Sequence, residues 1–206
     1  TDMRPLGSAP PAAPGVRVVF GPGTGLGVAA LVPSGGSFAA LPTEGGHVSF
    51  GPAAEDEEPI FARLRREFAP VSAEAVLSGP GLERLYRAMH GAARPLKAAD
   101  IVAGAHRGDE TCCATAMMFV RLFGRFAGDL ALMFRATGGV YAGGGVARRI
   151  GRLFDAPDFR AAFENHPPYA ELLKTIPTTL ITLDEPGLLG CAALAETLLA
   201  PAPARP

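Results

Sequence analysis

Val18-Val19-Phe20-Gly21-Pro22-Gly23-Thr24-Gly25-Leu26-Gly27-Val28 is the stretch on which the reading of this chain turns. An apolar, β-branched run breaks into four glycines and a threonine, then resumes as Val28 to Val32. Alternate glycines leave a turn bare of side chains, so backbone N–H groups can converge on an anion, and Thr24 adds a hydroxyl donor at the apex. Strand, turn and strand in this pattern read as a phosphate cradle. It differs from the two common kinds. GxxxxGK[ST] is absent, and a dinucleotide fold needs a helix after its glycines. Val28-Ala29-Ala30-Leu31-Val32, closed by Pro33-Ser34-Gly35-Gly36, is too short for that helix and reads as a strand. Taken alone, the run is equally well an ordinary glycine-rich hairpin.

Outward from the hairpin, Arg17–Phe20, Leu26–Val32 and Ser37–Leu41 are expected to form a three-strand meander. Ahead of it, the Pro/Ala-rich residues 1–15 predict an irregular leader. Behind it, a loop holds Thr43 to Pro52. Glu57 to Glu67 reads as a helix with Ile60, Phe61 and Leu64 on one face, and Gly81 to Ala93 as another. Asp109 or Thr111 caps a long helix running to about Arg135, whose Met117, Val120, Leu122, Phe126 and Leu130 suit burial against a sheet. A homodimer interface would use the same apolar content. Val140–Ala142 and Thr179–Leu183 are short β-branched runs after helices, as parallel strands are, and helices over Ala147–Phe154 and Leu188–Leu199 follow them. The order predicts an α/β, ribonuclease-H-like lobe of the actin/hexokinase ATPase kind. It has a mixed five-stranded sheet with helices on both faces, and residues 16–206 form one large domain.

Composition narrows the function. The 206 residues carry a net charge of −1, so no broad basic surface predicts nucleic acid or an anionic membrane as a partner. Three cysteines, Cys112, Cys113 and Cys191, form neither a disulfide framework nor a zinc motif. Reduced thiols in a cytoplasmic protein are the expectation. No uninterrupted apolar stretch reaches spanning length, and no signal peptide opens the chain. With no initiator Met, the chain is expected to begin inside a longer one or to have been processed.

Six glycine-marked segments, in order, carry a family resemblance. They are Gly21 to Gly27; Glu44-Gly45-Gly46-His47; Ser72-Ala73-Glu74-Ala75-Val76-Leu77-Ser78-Gly79-Pro80-Gly81-Leu82; Phe123-Gly124-Arg125-Phe126; Gly138-Gly139-Val140-Tyr141-Ala142-Gly143-Gly144-Gly145; and Glu185-Pro186-Gly187-Leu188-Leu189-Gly190. From about Val16 to Leu199 the chain resembles the large C-terminal portion of a bacterial glucokinase, in the family related to hexokinases. The resemblance implies that Gly23, Thr24 and Gly25 hold the terminal phosphates of ATP. It gives Gly143, Gly144 and Gly145 to the adenosine, and Glu44, His47 and Glu74 to glucose. Mg2+ is expected on the nucleotide's phosphates, with no dedicated metal ligands in the chain. Each residue alone has a plainer reading. Three glycines after a strand can be a tight turn, a loop Glu is usually solvated, and a lone His is usually structural. Glu74 alone suits the first turn of a short helix.

Two parts of the family pattern are missing. Phosphoryl transfer needs a base for the sugar's 6-hydroxyl proton, a role the family gives to an Asp following Asn. Asn165 is the only asparagine, and no Asp follows it. The Asp-x-Gly-Gly-Thr phosphate loop of the family's N-terminal small domain is absent too. Asp100, Asp109, Asp129, Asp155, Asp158 and Asp184 all suit capping, loop or surface roles. The expectation is therefore that this chain binds weakly and does not turn over unaided, its catalytic base lying upstream. A non-catalytic glucose- or nucleotide-binding protein is the alternative. A sugar-sensing repressor would add a helix-turn-helix and a Cys-x-Cys-Gly-x-x-Gly-Cys motif, and neither is in the chain.

Overall fold

Side chains along the central strands alternate in burial, and this alternation locates the core. In a computed structural model describing residues 2–8, 11–91 and 95–199, a six-stranded sheet runs in the order β1-β6-β5-β2-β3-β4. β1 is Met3–Pro5, β2 Arg17–Pro22, β3 Leu26–Ser34, β4 Ser37–Thr43, β5 Val140–Ala142 and β6 Thr178–Ile181. The expected meander is present, with β2 antiparallel to β3 and β3 to β4. β5 lies parallel between β2 and β6.

The expected count of five strands needs correcting, because Met3–Pro5 forms a sixth. It pairs antiparallel with β6 inside the stretch whose composition predicts an irregular leader. Leu6, 1% exposed, anchors it. The Leu6 N–H donates to the Thr178 carbonyl at 2.8 Å, and the Thr178 hydroxyl donates to the Leu6 carbonyl at 2.6 Å. Pro5 is tolerated because β1 is an edge strand, where a missing N–H breaks no ladder.

The helices are α1 (Glu58–Glu67), α2 (Ala73–Val76), α3 (Gly79–His90), α4 (Ala98–His106), α5 (Glu110–Met133), α6 (Gly145–Ile150), α7 (Pro157–Glu164), α8 (Ala170–Lys174) and α9 (Pro186–Leu199). Asp109 caps α5, its carboxylate accepting from the Cys112 N–H at 2.9 Å. The expected helix over Gly81 to Ala93 begins two residues earlier and ends at His90, where Gly91 takes a left-handed conformation; residues 92–94 lie outside the described ones. α4, α7 and α8 stand where the sequence pattern suggests no element. They are short, and α7 contributes only Phe159 and Phe163 to the core.

α5 crosses the sheet face bearing Val18 and Phe20. Phe20 stacks on Phe123 with ring centroids 4.5 Å apart, and Phe119, Phe126, Phe154 and Phe159 extend the cluster. Burying each such ring stabilises by about 1.5–3 kcal/mol. Most apolar residues of α5 thus pack in this chain's own core, while Met133 at its end is exposed. Pairing of Val18 with Val140 and Phe20 with Ala142 brings Gly21–Pro22 and Gly143–Gly144 to the same end of the sheet.

Candidate functional site

β2 and β3 pair as far as Pro22 opposite Leu26, so Gly23-Thr24-Gly25 is the whole tip of the hairpin. The Gly23 N–H donates across the tip to the Gly25 carbonyl at 2.8 Å. Thr24 is exposed at the apex, as expected. On Gly23 an added Cβ would meet nothing within 4 Å, so this side of the tip is open to a ligand.

The second glycine run adjoins the first. The Gly143 N–H donates to the Phe20 carbonyl at 2.8 Å, continuing the ladder past β5. Gly144 has φ +84° and precedes the first turn of α6. A Cβ on it would stand 2.5 Å from the Pro22 carbonyl oxygen. The runs expected to take phosphate and adenosine are thus in backbone contact, although about 120 residues separate them in sequence.

Glu44 and His47 flank one 3-10 turn, Gly45–His47, with Glu44 Oε2 and His47 Nε2 3.9 Å apart. Both side chains are open to solvent, at 91% and 60% exposure. Thr43 fixes the turn: its hydroxyl accepts from the Gly45 N–H at 3.1 Å and donates to the Val28 carbonyl at 2.9 Å. Glu74 lies in the first turn of α2, but Ser72, not Glu74, caps that helix by accepting from the Ala75 N–H at 3.2 Å. Glu74 instead reaches the hairpin, where its Oε2 accepts from the Leu26 N–H at 2.8 Å. A backbone bond from Ala73 N–H to the Val48 carbonyl at 3.0 Å and the Ser49–Ser72 bridge tie together the two segments expected to take the sugar.

One contact that the motifs do not announce is the Gly79 N–H donating to the Gly23 carbonyl at 2.9 Å, a second grip on the hairpin tip. Another is Glu57, 2% exposed at the start of α1. Its carboxylate accepts from the Ala53 N–H at 2.8 Å and from Arg125 at 3.3 Å, across 68 residues of sequence, so no local pattern could show it. Burial lowers the pKa of Arg125, and the Glu57 charge opposes that shift. Four of the six aspartates named from the sequence are structurally engaged: Asp109 caps α5, Asp129 pairs with His166 at 3.0 Å, and Asp155 and Asp184 pair with Arg4 and Arg148. Among the described residues, no three His, Cys, Asp or Glu side chains gather as a metal ion requires. No helix among them is long and apolar enough to cross a membrane.

A family model described as Glucokinase matches residues 1–198. The chain is 46% identical over 198 residues to the glucokinase of Yersinia pestis, covering 93% of this chain and 61% of that protein. It is 45% identical over 188 residues to the bifunctional protein glk of Burkholderia orbicola, covering 87% of this chain and 29% of that one. The crystal structure of a glucokinase from an Antarctic psychrotroph matches with a TM-score of 0.86 and 36% identity, over 95% of this chain and 62% of that chain. The chain thus spans less than two thirds of the length of each of these relatives.

Proposed function

The chain belongs to the glucokinase family, and from that premise we propose that it supplies the nucleotide site and much of the sugar site for ATP-dependent phosphorylation of glucose to glucose 6-phosphate. The observation that carries this reading is the meeting of three parts at one sheet end. The hairpin touches Gly144 through Pro22 and Glu74 through Leu26, the two residues that flank its tip. A phosphate donor and a phosphate acceptor must lie against the same group, and this is the place where both candidate sites converge.

In this reading, Gly23-Thr24-Gly25 hold the terminal phosphates and Gly143-Gly144-Gly145 take the adenosine. The open side of Gly23 fits a phosphate group approaching the backbone closely. Glu44, His47 and Glu74 take the sugar, because a carboxylate accepts from adjacent hydroxyls and an imidazole can donate or accept. Mg2+, carried on the nucleotide's phosphates, would supply charge neutralisation at the transferred group. A cytoplasmic location suits a reaction that draws on ATP and a chain with three cysteines and no disulfide framework.

The proton of the sugar's 6-hydroxyl needs an acceptor, and the family's Asn-Asp pair is not in these 206 residues. The chain alone is expected to bind its substrates weakly and not to turn over. The test is calorimetric titration of the chain with glucose and with a non-hydrolysable ATP analogue, beside a coupled assay with Mg-ATP. Glu44→Ala is run in parallel. The expected result is binding without turnover, with glucose binding weakened at least tenfold by the substitution. Turnover by the chain alone would refute the missing base. Binding of neither ligand would refute the site.

A further inference from the structure

The peptide of Leu26 is held from both sides. Its N–H donates to Glu74 Oε2 at 2.8 Å. Its carbonyl oxygen lies against Gly46, in the turn bearing Glu44 and His47, so closely that a Cβ there would overlap it. The segment that brings Glu74 to one end of the hairpin tip also grips the other, through the Gly79 N–H on the Gly23 carbonyl at 2.9 Å. Ser78 makes that segment stiff. Its hydroxyl donates to the Glu74 carbonyl at 2.8 Å and accepts from the Gly81 N–H at 3.0 Å. Gly25 leaves room for the carboxylate, since a Cβ there would stand 2.5 Å from Glu74 Oε2. The tip is therefore bracketed by the single segment Glu74 to Gly79.

A carboxylate has two oxygens, each able to accept. Oε2 of Glu74 serves Leu26, while Oε1 has no hydrogen-bond partner among the described residues. We propose that Glu74 is a positioning residue that couples the two substrates: a sugar hydroxyl on Oε1 fixes the carboxylate whose Oε2 sets the Leu26 amide and, with it, the phosphate hairpin. This rests on Glu74 being a sugar ligand, and it adds that the same side chain reports sugar occupancy to the phosphate site. The consequence is reciprocal. If glucose tightens nucleotide binding by some factor, the nucleotide must tighten glucose by the same factor. Such a device tightens the hold on the phosphates when an acceptor is present, which favours transfer to the sugar over transfer to water.

The experiment is a pair of calorimetric titrations of the chain with Mg-AMPPNP, without and with saturating glucose, for wild type, Glu74→Ala and Glu44→Ala. In wild type, glucose is expected to tighten AMPPNP by about fivefold or more. Glu44→Ala is expected to weaken glucose yet keep that factor once glucose is saturating. Glu74→Ala is expected to bring the factor to about one. Amide hydrogen exchange supplies a readout that needs no ligand: Leu26 loses protection in Glu74→Ala while the amides of α5 keep theirs. If Glu74→Ala does not fold, Glu74→Gln replaces it, because it keeps an oxygen for Leu26 and removes the charge. Its factor is expected to fall at least about threefold. An unchanged factor in the Glu74 variant used overturns the proposal, as does wild-type binding of both ligands without coupling. Failure of wild type to bind glucose at all overturns instead the sugar-site reading beneath it.

Discussion

Gly144 stands so close to Pro22 that a Cβ on it would lie 2.5 Å from the Pro22 carbonyl oxygen. This one approach joins the ends of β5 and β2, and with them the two glycine runs of the proposed nucleotide site. Gly144 also has φ +84° with ψ 157°, a region almost confined to glycine, where an L side chain costs about 1–3 kcal/mol even without a neighbour. Gly144→Ala is therefore expected to lower the unfolding free energy by about 2 kcal/mol or more, and to weaken nucleotide binding with it. Gly145→Ala is the control, since its Cβ would meet nothing within 4 Å in the first turn of α6. There alanine is neutral or stabilising by up to about 1 kcal/mol. Urea unfolding of the two variants checks the contrast, and equal midpoints would remove it.

The hairpin glycines are predicted to separate by mechanism. Gly23 has open space where a Cβ would go, so Gly23→Ala should leave the unfolding midpoint within experimental error. The methyl would fill the space proposed for phosphate, and AMPPNP affinity should fall at least about tenfold, a loss near 1.4 kcal/mol. Gly25→Ala would instead push on Glu74 Oε2. Stability and both ligand affinities should fall together. Thermal unfolding and calorimetry on the same preparations separate the two cases, and a destabilised Gly23→Ala would mean that the tip is packed rather than open.

The hairpin could be read from sequence because its signal is local: alternate glycines between two β-branched runs leave few other conformations. β5 and its glycines were legible for the same reason, as was the Asp109 cap three residues before the amide it accepts from. What stayed hidden depends on distant partners. β1 is three residues long and exists because Leu6 and Thr178, 172 positions apart, exchange hydrogen bonds. Proline and alanine around it give no periodicity to detect. α7 and α8 bury too few residues each to set up a helical pattern, and two of the four residues that α4 buries are Gly104 and Ala105, too small to mark a face. Within the site, the motif reading assigns Gly25 to phosphate, yet its bare Cα equally admits the Glu74 carboxylate from 49 residues away in sequence. Glu57 reads as a helix start, because its partner Arg125 lies on α5.

Glu57 ties the loop at Ala53 to α5. Its carboxylate is almost fully buried and faces Arg125 at 3.3 Å and Arg121 at 3.4 Å, while Arg125 also donates to the Gly51 carbonyl at 2.7 Å and lies over the Phe50 ring. Removing the acid leaves Arg125 half-buried without its counter-charge. Breaking such a pair costs about 3–5 kcal/mol. Glu57→Ala is expected to unfold at markedly lower urea, with the loop from Gly51 to Ala53 loosened first. Amide exchange at Ala53, whose N–H donates to Glu57 at 2.8 Å, locates the effect. A midpoint shift worth less than about 1 kcal/mol would class the pair with exposed ones instead.

The Asp109 cap makes the long core helix sensitive to acid. Its carboxylate accepts from the Cys112 N–H at 2.9 Å and from the Thr111 hydroxyl at 2.8 Å. These bonds, the Cys112 backbone first, hold its pKa at about 2 against an ordinary 3.8. A carboxyl whose pKa is lower folded than unfolded binds protons more readily in the unfolded chain. Its contribution is therefore complete above pH 3.8 and drains away as pH falls toward 2. Asp109→Ala is expected to melt below wild type at pH 6, and the gap should narrow below pH 4 and close near pH 2. Asp109→Asn keeps an acceptor at the helix start without a titrating group, so its melting temperature relative to Asp109→Ala should not change over that range. Melting curves of the three proteins between pH 6 and pH 2 test the assignment. A wild-type advantage over Asp109→Ala that persists unchanged to pH 2 would show that the cap acts through geometry and not through its charge.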